Sequence, residues 1–315
     1  DRLAAWMASH LDGFSGSVAI QQFKGGQSNP TYLLETPDQA YVLRRKPPGN
    51  LLPGGHAIER EARVMTALGQ AGFPVPIIHG LCDDAAVIGT PFYVMEKIYG
   101  RIIWNADFPG LSPASRRDHF LAMNQTLAAL HQLDPIAIGL GDYGKASGFI
   151  ERQVRRWAGQ YRQDVEAGPL PAMDWLADWL EDNLPPDRGE ARIVHGDYRC
   201  DNMIFHPDQP RVIALLDWEL STLGDPVADF VYHLMMYHLP ASLFTGVKGL
   251  DLAAMGIPTE DDYIAAYCAA TGRTQLPDHD YLIVFNIFRL AGIIHGIKGR
   301  LARGNATSAH AAAMV

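Results

Sequence analysis

The spacing of apolar residues changes character several times along this chain, and each change marks an element. Over Arg2–Asp12, Leu3, Trp6, Met7 and Leu11 recur three and four apart, which places them on one face of a short helix. From Val18 the texture turns to short β-rich runs at Val18–Phe23, Thr31–Glu35 and Tyr41–Arg44. Lys24-Gly25-Gly26-Gln27-Ser28-Asn29 separates the first two and Pro37-Asp38 the next two. This predicts an antiparallel meander with a glycine-rich first turn. Lys46–Gly55, rich in Pro and Gly, reads as a loop. A helical period follows over Ala57–Leu68, with Ile58, Ala62, Met65 and Leu68 inward, and two more strands at Ile77–Leu81 and Pro91–Lys97.

Past Gly100 the chain is mostly helical. Ser112–Leu133 opens with Ser112 as N-cap and Pro113 in the first turn. Further helical periods cover Phe149–Val165, Met173–Asn183, Val227–Tyr237, Glu260–Ala270 and Asp280–Leu301. The expected fold is therefore α+β and two-lobed: a five-stranded antiparallel sheet with one inserted helix over residues 1–98, then a mostly helical lobe over residues 99–315.

Composition narrows the function classes. The 315 residues carry 26 Lys+Arg against 35 Asp+Glu, a net charge of −9, and after residue 98 the balance is 18 basic to 26 acidic. Such a surface is ill suited to nucleic acid or anionic membranes, so neither is expected as a partner. The most apolar stretch, Leu282–Lys298, is interrupted by Asn286, Arg289 and His295 and reads as a buried helix. No basic and apolar leader opens the sequence. Cys82, Cys200 and Cys268 are far apart with no CxxC pair, which suits a reducing, cytoplasmic setting.

Chemistry concentrates in Ile193–Leu220. His195-Gly196-Asp197 is followed five residues later by Asn202, a short strand at Met203–Phe205, a Pro/Asp turn, a return strand at Arg211–Leu216, and then Asp217-Trp218-Glu219. A hairpin sets the start of one strand beside the end of the other, so Asp197, Asn202 and Asp217 are expected at one mouth. Oxygen donors without Cys or HExxH suit Mg²⁺, which takes one or two protein ligands and leaves the rest to phosphates and water. Asn202 and Asp217 supply that much, and Asp197 is left to accept a proton from a hydroxyl nucleophile.

H-G-D-x-x-x-x-N, a short hairpin and D-W-E together resemble the aminoglycoside and choline phosphotransferase group of kinase-like enzymes. Gly25-Gly26-Gln27-Ser28-Asn29, Tyr41–Gly49 and Gly224–Asp229 look like the branch found as a phosphotransferase region fused to some acyl-CoA dehydrogenases. The resemblance runs from about Val18 to Leu301. It implies a protein-kinase-like fold and transfer of the γ-phosphoryl group of Mg-ATP to a hydroxyl of a small metabolite, either a hydroxyacyl compound or an aminoglycoside-like acceptor. By resemblance Asp197 is the base, and Asn202 and Asp217 hold Mg²⁺. Lys24–Asn29, with Gly25, Gly26, Gln27, Ser28 and Asn29, covers the phosphates. Glu61 pairs with the basic residue of the third strand, with Glu59 in reserve, while Glu96 and Lys97 form the hinge at the adenine and His195 holds the loop. Where kinases carry Lys, this chain has Arg44, a bulkier and permanently charged group. Two alternatives stand beside this reading: a nucleotide-binding pseudokinase and a metal-dependent hydrolase using His195, Asp197 and Asp217.

Other features read as structural. Gly139-Leu-Gly-Asp-Tyr-Gly144 matches G-x-G-x-x-G but follows a helix, so a turn is expected. Asp225-Pro226 reads as a helix N-cap. Trp175 and Trp179 read as core packing, and His131 and His295 as helical histidines without a ligand role.

Overall fold

In a computed structural model the described residues are 2–23, 29–47, 57–243 and 245–303. In chain order the elements are α1 (Arg2–His10), β1 (Ala19–Gln22), β2 (Thr31–Glu35), β3 (Ala40–Arg45), α2 (Ile58–Gln70), β4 (Ile78–Cys82), α3 (Ala85–Ile88) and β5 (Phe92–Glu96). There follow α4 (Pro113–Gln132), α5 (Phe149–Gln163), α6 (Pro171–Asp182), β6 (Arg192–Val194), β7 (Met203–Phe205), β8 (Val212–Leu215) and β9 (Thr222–Gly224). The last helices are α7 (Pro226–His238), α8 (Leu252–Met255), α9 (Glu260–Thr271) and α10 (His279–Ala302). The fold is α+β, as the pattern of periods predicts. It divides into two compact units that are not sequential: one comprises Asp1–Trp104, Asp134–Gly141 and Arg199–Ser221, the other the remainder.

In the first unit the sheet runs β1-β2-β3-β5-β4, with every neighbouring pair antiparallel. Strand alternation gives its faces different tasks. Tyr41 and Leu43 of β3 and Phe92 and Val94 of β5 are buried with Leu3, Trp6 and Met7 of α1. Trp6 meets Phe92 edge-on at 4.8 Å, and a Cβ at position 80 would fall 2.8 Å from Trp6 Cη2, so the strand passes under the indole only as Gly80. Each large side chain sealed there contributes about 1.5–3 kcal/mol. The alternate positions, Arg44 and Tyr93, sit directly opposite each other across β3 and β5 and face α2.

The β7–β8 hairpin belongs to this same unit. Leu215 N donates to Pro74 O at 2.9 Å, and Arg101 and Phe205 exchange two main-chain bonds of 2.8 Å. That exchange requires Gly100, because a Cβ there would stand 2.4 Å from Phe205 O. The aromatic ring of Trp218, just after the hairpin, packs edge-on against Phe73 at 6.1 Å.

The second unit is mostly helical, with a small antiparallel ladder between β6 and β9. Several of its helix starts carry side-chain caps, two of them, at Ser112 and Asp225, as the sequence predicts. Ser112 accepts from Ser115 N, Thr259 from Asp262 N, and Asp225 from both Val227 N and Ala228 N. Helix α7 is buried from Pro226 to Tyr237, and Phe230 stacks on Tyr267 at 3.7 Å. Helix α10 is the described helix long and apolar enough to cross a membrane by length and composition. Here it packs on α7 and α5, with Leu282, Phe285, Asn286 and Phe288 buried. All three cysteines are buried and free. The expectation for Trp175 is corrected: it is 63% exposed and stacks on Trp179 from outside.

Candidate functional site

In the first unit three carboxylates converge on one guanidinium. Arg44, near the end of β3, lies with Nε 3.2 Å from Glu61 Oε2, Nη2 2.8 Å from Asp217 Oδ1 and Nη2 3.6 Å from Glu219 Oε2. Glu61 is 1% exposed and held on three sides. Asn29 Nδ2 donates to its Oε1 at 2.8 Å, and Tyr93 Oη donates to Oε2 at 3.0 Å. Burial is the main cause that lifts the Glu61 carboxyl, to about 7. Arg44 pulls it down, while the charges of Asp217 and Glu219 push it up again. For Arg44 the order reverses. Burial works against its charge, yet Glu61, Tyr93 and Asp217 together hold its pKa above the ordinary arginine value. Glu59, the reserve partner, instead pairs with Lys46.

Asp217 is placed by the backbone as much as by its partner. It takes φ 63° and ψ 64°, a left-handed conformation that costs a non-glycine residue roughly 1–3 kcal/mol and that tends to mark functional positions. Its neighbour Leu216 donates its N–H to Asn202 O at 2.8 Å, so Asn202 and Asp217 stand on adjacent strand ends. Asn202 closes a short 3₁₀ turn, Cys200–Asn202, immediately before β7.

The other predicted positions of this unit are distributed as follows. Gly25, Gly26, Gln27 and Ser28 lie outside the described residues. Asn29 turns its amide into Glu61 and is 1% exposed. Glu96 ends β5, with its N–H donated to Ile77 O at 2.8 Å and its carboxylate accepting from Ile77 N at 3.3 Å. Lys97 Nζ donates to Ile98 O and lies over the Tyr99 ring.

In the second unit Asp197 follows β6 in the loop His195-Gly196-Asp197. Asp229 of α7 fixes that loop. Its two carboxylate oxygens accept from His195 N and Gly196 N, each at 2.8 Å, and His131 Nε2 lies 3.2 Å away. Burial works to raise the Asp229 carboxyl, but the contacts with His131 and His195 outweigh it and hold it below the usual carboxylate range. His195 is fully buried and its Nδ1 accepts from Asp197 N at 3.2 Å. The Asp197 carboxylate receives a hydrogen bond from Tyr232 Oη on α7.

Tyr93 and Tyr232 therefore join the site residues without having been picked out by motif, and Asp229, the last residue of the Gly224–Asp229 stretch, joins them. Tyr93 carries a readable signal, since it faces Arg44 in the antiparallel register of β3 and β5. Asp229 and Tyr232 lie three apart on one helix face, and nothing local marks that face as turned toward the His195-Gly196-Asp197 loop.

The phosphotransferase enzyme family profile matches residues 19–279. The chain belongs to that family. It is 45% identical over 299 residues to acyl-CoA dehydrogenase family member 10 of Mus musculus, covering 94% of this chain and 28% of the relative. To acyl-CoA dehydrogenase family member 11 of Homo sapiens it is 42% identical over 311 residues, covering 97% and 40%. The chain thus spans well under half the length of these curated relatives. Among solved structures, one from Ralstonia eutropha, provisionally described as an aminoglycoside phosphotransferase, is 48% identical. It has a TM-score of 0.90 and covers 99% of this chain and 92% of that one. Choline kinase from Cryptosporidium parvum shares the fold at 12% identity and TM-score 0.64, covering 99% and 94%. Membership of the phosphotransferase enzyme family speaks for phosphoryl transfer rather than for the metal-dependent hydrolase alternative.

Proposed function

We propose that the protein is an ATP-dependent small-molecule kinase that moves the γ-phosphoryl group to a hydroxyl of a hydroxylated metabolite. The observation that carries this reading is the Arg44 guanidinium, fixed by Glu61 and reaching Asp217 at 2.8 Å. A permanently charged, forked donor held this way suits phosphate oxygens better than a structural ion pair alone would require.

Asp197 serves as the base. Its carboxylate, oriented by the hydrogen bond from Tyr232, accepts the proton of the acceptor hydroxyl. The hydroxyl oxygen then bonds to the γ-phosphorus, the bond from that phosphorus to the β–γ bridging oxygen breaks, and ADP leaves. Asn202 and Asp217 are the proposed Mg²⁺ ligands. Their donors are hard oxygens on adjacent strand ends, and the three carboxylates around Arg44 exceed its single positive charge, so the residues fit a divalent ion. Bound there, Mg²⁺ would neutralise charge on the phosphates. The adenine-binding role is assigned to the main chain at Lys97, since the Glu96 N–H already serves the sheet.

For the acceptor, similarity to acyl-CoA dehydrogenase family members favours a hydroxyacyl compound over an aminoglycoside-like one. The pseudokinase reading keeps one observation in its favour, Arg44 at the position of the kinase lysine. The deciding experiment heats the purified protein with and without Mg-ATP and then assays product from a panel of hydroxylated metabolites. Nucleotide stabilisation with a phosphorylated product that Asp197→Ala abolishes supports the kinase. Stabilisation with no product from any acceptor supports the pseudokinase.

A further inference from the structure

Arg289 of α10 sits in a frame of two aromatic rings and one carbonyl. Its guanidinium carbon lies 4.7 Å from the centre of Tyr232 and 5.3 Å from that of Trp157, and Nη2 donates to Gly196 O at 2.7 Å. Among the described residues no carboxylate comes within 4.0 Å of it, and Nε is buried without an acceptor. Two neighbouring donors are in the same condition: Trp157 Nε1 on α5, and Asn286 Nδ2 one turn earlier on α10. Trp157 is 8% exposed and Asn286 2%. The contrast with Arg116 is instructive, because that buried arginine donates to the carbonyls of Asp107, Phe108, Leu111 and Met255. Buried polar groups are ordinarily satisfied, and a cation without a carboxylate is unusual in a chain with net charge −9.

The position of Arg289 gives this deficit a use. Tyr232, whose ring it covers, donates to Asp197, so the cation stands one tyrosine ring from the proposed base. We infer that Arg289, with Trp157 and Asn286 beside it, is the acceptor-selecting residue. It receives an oxygen hydrogen-bond acceptor on the molecule that carries the reacting hydroxyl, a carboxylate or the carbonyl of a thioester. The guanidinium charge and the two N–H donors beside it disfavour an ammonium group in the same place. The inference deepens the kinase reading and rests on the protein being a small-molecule kinase.

The test uses purified protein with Mg-ATP and three matched probe sets: hydroxy acids of three to six carbons, their coenzyme A thioesters, and amino alcohols of the same lengths. Binding is followed by calorimetry in the presence of Mg-ADP and turnover by product formation. The acids or the thioesters should bind and react while the amino alcohols do neither, and whichever of the two reacts identifies the oxygen that Arg289 receives. Arg289→Met should raise the acceptor KM tenfold or more, the size of a lost charge-assisted hydrogen bond. Nucleotide stabilisation should stay unchanged, and Arg289→Lys should recover part of the loss. Circular dichroism of both variants checks that they fold, and the lysine variant serves if the methionine variant does not. Preferential binding or turnover of amino alcohols would overturn the inference, as would an unchanged KM in a folded variant or no binding by any acid or thioester. Asp197→Asn separates the two readings. Lost transfer with retained acceptor binding supports both, whereas undiminished transfer refutes the base and leaves Arg289 standing on its own binding data.

Discussion

Arg44 and Asp217 meet side chain to side chain at 2.8 Å although 173 positions separate them. The contact ties β3 to the segment that follows β8, and it gives the arginine two duties: an ion pair with Glu61 behind it and a hydrogen bond with Asp217 ahead. A lysine ammonium is a single point and serves both less well.

Arg44→Met leaves Glu61, Asp217 and Glu219 around an apolar side chain. With the arginine side chain only 13% exposed, removing the cation should cost about 3 kcal/mol, seen as a fall in urea midpoint. Arg44→Lys should keep most of that stability and raise the nucleotide KM about tenfold. An unchanged KM in the lysine variant would count against a phosphate-binding role.

Glu61 supplies a pH dependence whose sign is fixed. Its carboxyl is raised from 4.5 to about 7 on folding, so the folded chain binds the extra proton between those values. The associated stability is complete below about 4.5 and is lost as pH rises through 7. Glu61→Gln should flatten that slope in denaturant melts taken from pH 5 to 8. Over the same range nucleotide affinity should rise with pH in the parent protein, because the ionised carboxylate is the form that holds Arg44.

At Asp217 the left-handed backbone and the side-chain chemistry can be separated. Asparagine tolerates that conformation well, so Asp217→Asn should melt within a few degrees of the parent while losing at least a hundredfold in phosphoryl transfer. Asp217→Val should lose stability as well. Equal melting of the two variants would show that φ 63° carries no strain.

Asp229→Asn keeps an acceptor for one of the two backbone N–H groups and turns amide hydrogens on the other. The expected result is a loss of about 3 kcal/mol and activity near background, read by melting and by product assay. Full activity would mean that the His195-Gly196-Asp197 loop is held by other contacts.

Much of this architecture was readable from local signals. Strand alternation set Arg44 and Arg45 on opposite faces of β3, whereas the pairing of Glu61 with Arg44 came from the family resemblance and not from the helical period. Asp225-Pro226 announced a helix start and is one. What stayed hidden depends on pairings distant in sequence. The β6–β9 ladder joins three-residue strands about thirty positions apart, too short to show a period. The hairpin's membership of the first unit rests on Gly100, Pro74 and Phe73, none of which is coded near the hairpin. Trp175 and Trp179 satisfy a helical pair rule that cannot say which of them meets solvent.

The rung from Leu216 N to Asn202 O has a practical reach of its own. Because the tie is made by main-chain atoms, exchanging the side chain of Asn202 alters what is offered to an ion while the spacing to position 217 persists. If Asn202 holds the proposed ion, a failed variant at that position reports on ligand chemistry while the main-chain rung persists, and graded substitutions there can rank donor atoms against one another.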